Sequence, residues 1–395
     1  MRRLTIGVWK RENYASTIGG GFTYYAELID CISKTKFSNA DICFLGLESS
    51  TLENIGLYKY HPIKWRLPKF RIFLRFVDLI GPNIFRIKFI KKHYESLIKK
   101  QNESLYSELK NICDIIYYPY PMCQYPNFPF IYTLWDLGHF SSYAFPEVSN
   151  EDIFESRKDH HDKILFKALM ILCESQTGKT DAINYLRLNE DRLKVLPLFP
   201  SGIISEKIIP SKPQIINNDC FFIHYPAQFW AHKNHYNLIS AFSLIAYKYP
   251  LLKLLLTGSD QGNKSYILNA IKDFNLEGTV IDLGFVTIEE LKWLYLNSKG
   301  LVMPTLLGPT NMPPLEALAL GCPVAASDLP GHHEQMGDNA IYFNPLDIED
   351  IKDAIENLIT SEIKHTPHLT PTIHTNMALL DKYFLELTTI RQTWC

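Results

Sequence analysis

Short, wholly apolar runs alternate with longer amphipathic segments along this chain, and the alternation occurs twice. The first series opens with a strand at about 4–9. A loop ending in Gly19-Gly20-Gly21 follows, then a helix from Phe22 to about Ser33. Residues 41–46, 114–118 and 130–135 are further apolar runs bounded by turn residues, as buried parallel strands are. Residues 164–174 predict a helix leading into another strand, and 193–196 a last short strand. A stretch punctuated by Pro197, Pro200, Pro210 and Pro213 reads as a linker.

The second series is the clearer one. Strands are expected at 220–224, 251–257, 280–283, 300–303, 324–326 and 340–343. Helices are expected at 237–249, 266–274, 288–296 and 313–320. Strand–helix alternation of this kind implies α/β domains with doubly wound parallel sheets. A chain of 395 residues is also too long for one ordinary core.

Composition narrows the class without changing it. Hydrophobic residues make up 46% and charged residues 21%, which describes a folded chain. The net charge of −2 gives no global nucleic-acid footprint. The eight cysteines are scattered, with no pair at zinc-ribbon or redox spacing, so reduced thiols in a cytosol are the simplest reading. The first residues, Met1-Arg2-Arg3-Leu4, lead into a run too short for a signal peptide core, and no transmembrane helix is expected. Charge is uneven locally. Residues 59–100 hold 12 Lys or Arg against Asp78 and Glu95 and interleave them with Trp65, Phe70, Phe73, Phe76, Phe85 and Phe89. Such segments bind anionic membrane surfaces by charge attraction plus apolar burial. A solvated helix face over an ordinary core is the alternative.

Ligands of open α/β sheets sit where strands lead into helices. In Gly308-Pro309-Thr310-Asn311-Met312-Pro313-Pro314-Leu315-Glu316, prolines suit a first helical turn and Thr310 or Asn311 can cap it. That helix N-terminus is a ready pyrophosphate site, with Glu316 placed to accept ribose hydroxyls or merely to complement the dipole. In the segment from Tyr225 to His235, Lys233 can neutralise phosphates as a point charge. His232 and His235 stand three apart, but no further ligand cluster accompanies them and no metal site is expected. The triple glycine can bring backbone amides close to a phosphate or sugar, but it lacks dinucleotide-fingerprint spacing. Gly178-Lys179-Thr180 ends like a phosphate-binding loop, but position 173 is Cys, so that motif is rejected.

From Phe222 to Pro345 these residues resemble the donor-binding domain of glycosyltransferase family 4, a retaining group with the GT-B twin-Rossmann fold. The resemblance rests on Leu254-Leu255-Leu256-Thr257-Gly258, on Val280 to Val286 with Glu290-Leu291, and on Pro313 to Ala317 with Gly321-Cys322-Pro323-Val324. The N-terminal half is a looser match through Gly19-Gly20-Gly21 and Trp135-Asp136-Leu137-Gly138-His139. Three positions depart from the family pattern. Gly308 stands for the first of two Glu, Gln228 for an Arg, and Trp135 for the usual His. A subgroup with Gly-Pro-Thr-Asn in place of the first Glu shares these changes.

The resemblance implies two Rossmann-like domains facing across a cleft: residues 1–198 for the acceptor, a linker at 199–213, and residues 214–375 for the donor. A C-terminal helix at 376–395 would return to the N-terminal domain. It further implies retaining transfer of a hexose-type sugar from a nucleotide diphosphate sugar to a saccharide or lipid-linked saccharide, in bacterial surface glycan synthesis. No cofactor is expected. Gly20, Gly21, Gln228, Lys233, Asn234, Gly258, Phe285, Val286, Thr310, Asn311, Met312 and Glu316 would bind the donor. Asp136, His139 and Glu316 would serve catalysis. The setting would be cytoplasmic, or peripheral on the inner membrane face through residues 59–100, with no nucleic acid involved. A nucleotide-sugar 2-epimerase and a non-catalytic nucleotide-sugar-binding partner are the rival readings.

Overall fold

A computed structural model describes residues 3–11, 20–47, 53–64, 85–150, 152–216, 221–360 and 372–391. Two sheets organise them. The first contains β1 (Leu4–Trp9), β2 (Ala40–Leu47), β3 (Asn54–Ile55), β4 (Tyr58–Ile63), β5 (Ile115–Tyr118), β6 (Phe130–Leu134), β7 (Met170–Cys173) and β8 (Leu193–Val195), in the order β3-β4-β2-β1-β5-β6-β7-β8. Every pairing is parallel except the β3–β4 hairpin. The second contains β9 (Phe221–Pro226), β10 (Leu252–Thr257), β11 (Val280–Asp282), β12 (Leu301–Met303), β13 (Val324–Ser327) and β14 (Ile341–Phe343), all parallel, in the order β11-β10-β9-β12-β13-β14.

The strands read as unbroken apolar runs because both faces are covered: β5, β6 and β7 are buried at every residue. In each sheet the order reverses beside the first strand of the series, next to β1 and next to β9. The crevices where a doubly wound sheet takes ligands therefore lie at the carboxyl ends of β1 and β9. The helix Ile373–Arg391 packs on the first domain, not the second. Asp381 accepts hydrogen bonds from the Ser38 and Asn39 amides at 3.0 and 2.9 Å, Tyr383 donates to the Val195 carbonyl at 2.7 Å, and Phe384 meets Phe37.

Some elements differ from the sequence expectation. The first helix is Gly20–Lys34, so Gly20 and Gly21 lie in its first turn rather than in a preceding loop. The side chain of Trp135 requires a glycine at 21: a Cβ there would lie 2.7 Å from the indole Cζ3. The helix expected within 164–174 runs instead from Ile153 to Ile164. The helices Pro146–Ser149, Pro330–Met336 and Ile348–Thr360 and the β3–β4 hairpin were not anticipated. The basic, aromatic stretch falls largely outside the described residues, since 65–84 are not among them. No helix among the described residues is long and apolar enough to cross a membrane.

Candidate active site

The two sheets present their carboxyl ends to a shared cavity of about 600 Å³, within the size range of small-ligand sites. Gly21, Asp136, Gln228, Lys233, Gly258, Phe285, Val286, Thr310, Asn311, Met312 and Glu316 all line it. The structure thus gathers these residues from two domains into one wall.

The second domain's contribution begins after β9. The chain turns through Ala231–Lys233, and Lys233, half-buried, donates from Nζ to Asn311 Oδ1 at 2.9 Å. Burial pulls the Lys233 ammonium down to about 8, and the carboxylates of Glu147 and Asp136 oppose that pull. Asn311 is the N-cap of the helix Met312–Ala319, but its side chain does not cap it. It is held instead between Lys233 and His332, with Asn311 Nδ2 3.0 Å from His332 Nε2. The amides expected to cradle phosphate are fewer than the motif suggests. The Asn311 N–H donates to Gln335 Oε1 at 2.9 Å, and Pro313 and Pro314 have none to offer. Positive charge at this point comes from Lys233 and the helix dipole. Gly308 has a φ of 119°, a conformation that strains any L side chain. A Glu at 308 would be strained on this backbone.

Glu316 is buried in the wall. Its Oε1 accepts from Ser201 Oγ at 2.5 Å and its Oε2 from Tyr295 OH at 2.9 Å. Burial raises its pKa and both hydrogen bonds oppose the rise. Gln228 donates from Nε2 to Ser259 at 3.1 Å and accepts from the Trp230 indole at 3.0 Å, which fixes its amide beside the cavity. Phe285, 69% exposed, and Val286 form an apolar lip.

The first domain supplies Asp136, at the end of β6. Arg157 donates to Asp136 Oδ1 at 2.6 Å and the Gly138 amide donates to the same oxygen at 2.8 Å. Burial pushes the Asp136 pKa up, but the Arg157 charge and these hydrogen bonds outweigh it and hold the carboxyl below its usual range.

Two expected residues are placed elsewhere. His139 does not face the cavity. The Gly138–Asp136 hydrogen bond turns the chain so that the His139 ring packs inward, 4.2 Å from the Phe140 ring and 5.0 Å from that of His161. Burial lowers its pKa to about 4, leaving a neutral core residue. Asn234 adopts a left-handed φ of 57° and donates from Nδ2 to the carbonyls of Pro304 and Pro345, so it shapes the turn that carries Lys233. Gly20 opens the first helix.

The structure also adds residues that the sequence reading missed. Arg157, Glu147, Glu174, Ser201 and Tyr295 line the cavity. Glu147 reaches across from the first domain and accepts from the His232 amide at 2.8 Å as well as from its ring. Burial lowers the His232 pKa even with that carboxylate beside it. A second cross-domain contact caps the helix Gln176–Leu186. Glu334 accepts from the amides of Gln176 and Thr177 at 2.5 and 2.8 Å. The available signal for Glu147 was the Pro146-Glu147 pair, a helix start with proline in its first turn. No group of three His, Cys, Asp or Glu that could hold a metal occurs among the described residues.

Comparison with known proteins agrees with this geometry. Residues 207–369 match the family described as glycosyl transferases group 1. The O-antigen chain mannosyltransferase RfbU of Salmonella typhimurium is 32% identical over 132 residues, which cover 33% of this chain and 36% of that protein. The O-antigen chain mannosyltransferase B of Escherichia coli is 24% identical over 227 residues, covering 53% and 57%. The match thus spans only about a third of the first relative's length and somewhat over half of the second's. Among solved structures, the Anabaena protein HepE in complex with UDP-glucose superposes with a TM-score of 0.60 at 15% identity, over 99% of this chain and 98% of that one. The chain therefore has the GT-B fold, two Rossmann-like domains facing across a cleft, and residues 207–369 within it match the glycosyl transferases group 1 family.

Proposed function

We propose that the protein is a retaining glycosyltransferase that moves a hexose from a nucleotide diphosphate sugar to a saccharide or lipid-linked saccharide in bacterial surface glycan synthesis. The observation that carries this reading is the Lys233–Asn311 pair at the N-terminus of the helix Met312–Ala319, facing a cavity that Glu316 also lines. Negative charge builds on the leaving diphosphate as the glycosidic bond breaks. A fixed ammonium and a helix dipole stabilise it without reorganising. Glu316 offers acceptor oxygens to ribose hydroxyls, and Phe285 and Val286 an apolar face to the base.

Asp136 is locked to Arg157 and Glu147 to His232. Both carboxylates are committed to those partners. This favours a front-face transfer in which the departing phosphate oxygen accepts the acceptor hydroxyl's proton. The curated relatives are mannosyltransferases, so mannose is the sugar to test first. In a thermal-shift panel of UDP- and GDP-sugars, one nucleotide class is expected to raise the melting temperature, since a ligand bound only by the native state stabilises it. No shift with any donor would overturn the reading. Transfer then has to require an added acceptor, whereas an epimerase would turn over donor alone.

The basic stretch at 59–100 supports docking on an anionic membrane, where a lipid-linked acceptor would be met. Co-sedimentation with anionic vesicles at low salt is expected, and its loss at high salt. Vesicles that leave the protein in solution at low salt would remove this part of the reading.

A further inference from the structure

One buried acid in the cavity has no task in the transfer just described. Glu174 follows β7, immediately before the Ser175 cap of the helix Gln176–Leu186, and is 8% exposed. It lines the same cavity as Lys233 and Thr310, under the loop that carries Asn311. Among the other acids lining that wall, Asp136 has Arg157, Glu147 has His232, and Glu316 has both Ser201 and Tyr295. Among the described residues no cation acts on Glu174. The groups that act on it are the Thr310 hydroxyl and the like-charged carboxyls of Asp136 and Glu334. Tyr24 and Cys173 also face it, and neither carries a positive charge.

An isolated carboxylate is costly to bury, and a carboxyl in this position keeps its proton. Burial first, and then the repulsion from Asp136 and Glu334, hold the Glu174 pKa well above the usual carboxylate range. A neutral carboxylic acid is both a donor and an acceptor. A sugar attached to a diphosphate held at Lys233 would share this cavity with Glu174. Its hydroxyls can accept from such a proton and donate to the carbonyl oxygen.

We propose that Glu174 is a specificity-determining residue that works as an uncharged acid, hydrogen-bonding a hydroxyl of the donor's sugar. The inference rests on the glycosyltransferase reading above.

The test is a set of dissociation constants for GDP, GDP-mannose, UDP and UDP-glucose with the wild type, Glu174→Gln and Glu174→Met. Met fills the volume without polar atoms and Gln keeps a donor and an acceptor. Glu174→Met is expected to leave the nucleoside diphosphate within about twofold and to weaken the sugar nucleotide by about tenfold, the worth of one lost hydrogen bond. Glu174→Gln is expected to hold both close to wild type at neutral pH. In the wild type, the extra affinity due to the sugar declines as alkaline pH removes the Glu174 proton, and in the Gln variant that decline is absent.

Equal loss for diphosphate and sugar nucleotide, or no loss for either, would overturn the assignment while leaving the donor site intact. Loss in Gln as large as in Met would show that the anion is needed and would overturn it too. A wild type that binds none of the four ligands would instead defeat the glycosyltransferase reading itself, and the inference with it. If both variants melt far below the wild type, the acid is a structural element and the proposal is wrong.

Discussion

Lys233→Ala is expected to lower transfer by a factor on the order of 10² to 10³, the usual effect of removing one preorganised charge from a developing anion. Few other groups at this point could compensate. Gln228 stands where an arginine would add a second charge, Pro313 and Pro314 lack N–H groups, and the Asn311 amide is bound to Gln335. The pH dependence separates this role from simple packing. The Lys233 ammonium titrates at about 8 in the empty site because burial disfavours its charge. A bound diphosphate favours the charged form and raises that value. Donor affinity is therefore full below pH 8 and falls by up to about tenfold per pH unit above it, until the raised value of the complex is passed.

The stability of the empty protein moves the other way. Unfolded Lys233 has the ordinary, higher pKa, so the unfolded chain binds more protons between about pH 8 and 10. The ammonium's contribution to stability therefore grows less unfavourable as pH rises through that window. Lys233→Met should lose both dependences, and Lys233→Arg should keep affinity flat across pH 8. Isothermal titration with GDP and UDP from pH 6.5 to 9.5 measures it. An affinity slope in Lys233→Met equal to that of the wild type would show that another group titrates.

The second domain was largely legible in the sequence because its strands are short apolar runs, most of them ended by glycine, proline or an acid. β10 and β12 fall where the pattern puts them, and the helix at Met312 opens one residue early on its prolines. The first domain was less so. The helix Ile153–Ile164, with two histidines and seven other charged or polar residues, has little apolar period to read, yet it carries Arg157 to the cleft. Residue roles were legible only where backbone and side chain agree. At Asn311 the residue type suggests a cap, but Lys233 and His332 compete successfully for its amide. At His139 the motif suggests a catalytic group, but one hydrogen bond from Gly138 to Asp136 turns the ring into the core. Neither competition leaves a trace in spacing or composition, because both are decided by partners distant along the chain or by a local turn.

Glu316 is expected to separate stability from activity. Its two hydrogen bonds tie the Ser201 segment, just past the first domain's last strand, to Tyr295 in the helix Ile288–Asn297 of the second. Glu316→Ala leaves both hydroxyls buried without their acceptor and opens a small cavity, a cost of about 2–4 kcal/mol. Its loss of transfer would therefore mix fold and function. Glu316→Gln retains an acceptor and a donor for the same two hydroxyls, which can themselves donate or accept. Its melting temperature should stay near wild type, with Tyr295→Phe as a reference loss of about 1 kcal/mol.

Burial raises the Glu316 pKa above its unfolded value. The native state then binds the extra proton, so the wild type loses stability relative to Glu316→Gln as pH rises from the ordinary 4.5 through the raised value, and the difference is constant above it. Transfer should follow the opposite ranking. If the carboxylate accepts two ribose hydroxyls, Gln replaces one acceptor by a donor, and donor affinity falls by about tenfold or more while the fold holds. Equal affinity of wild type and Glu316→Gln for the nucleotide would reduce Glu316 to a strut between Ser201 and Tyr295, and the ribose would have to be held by another group of the same wall.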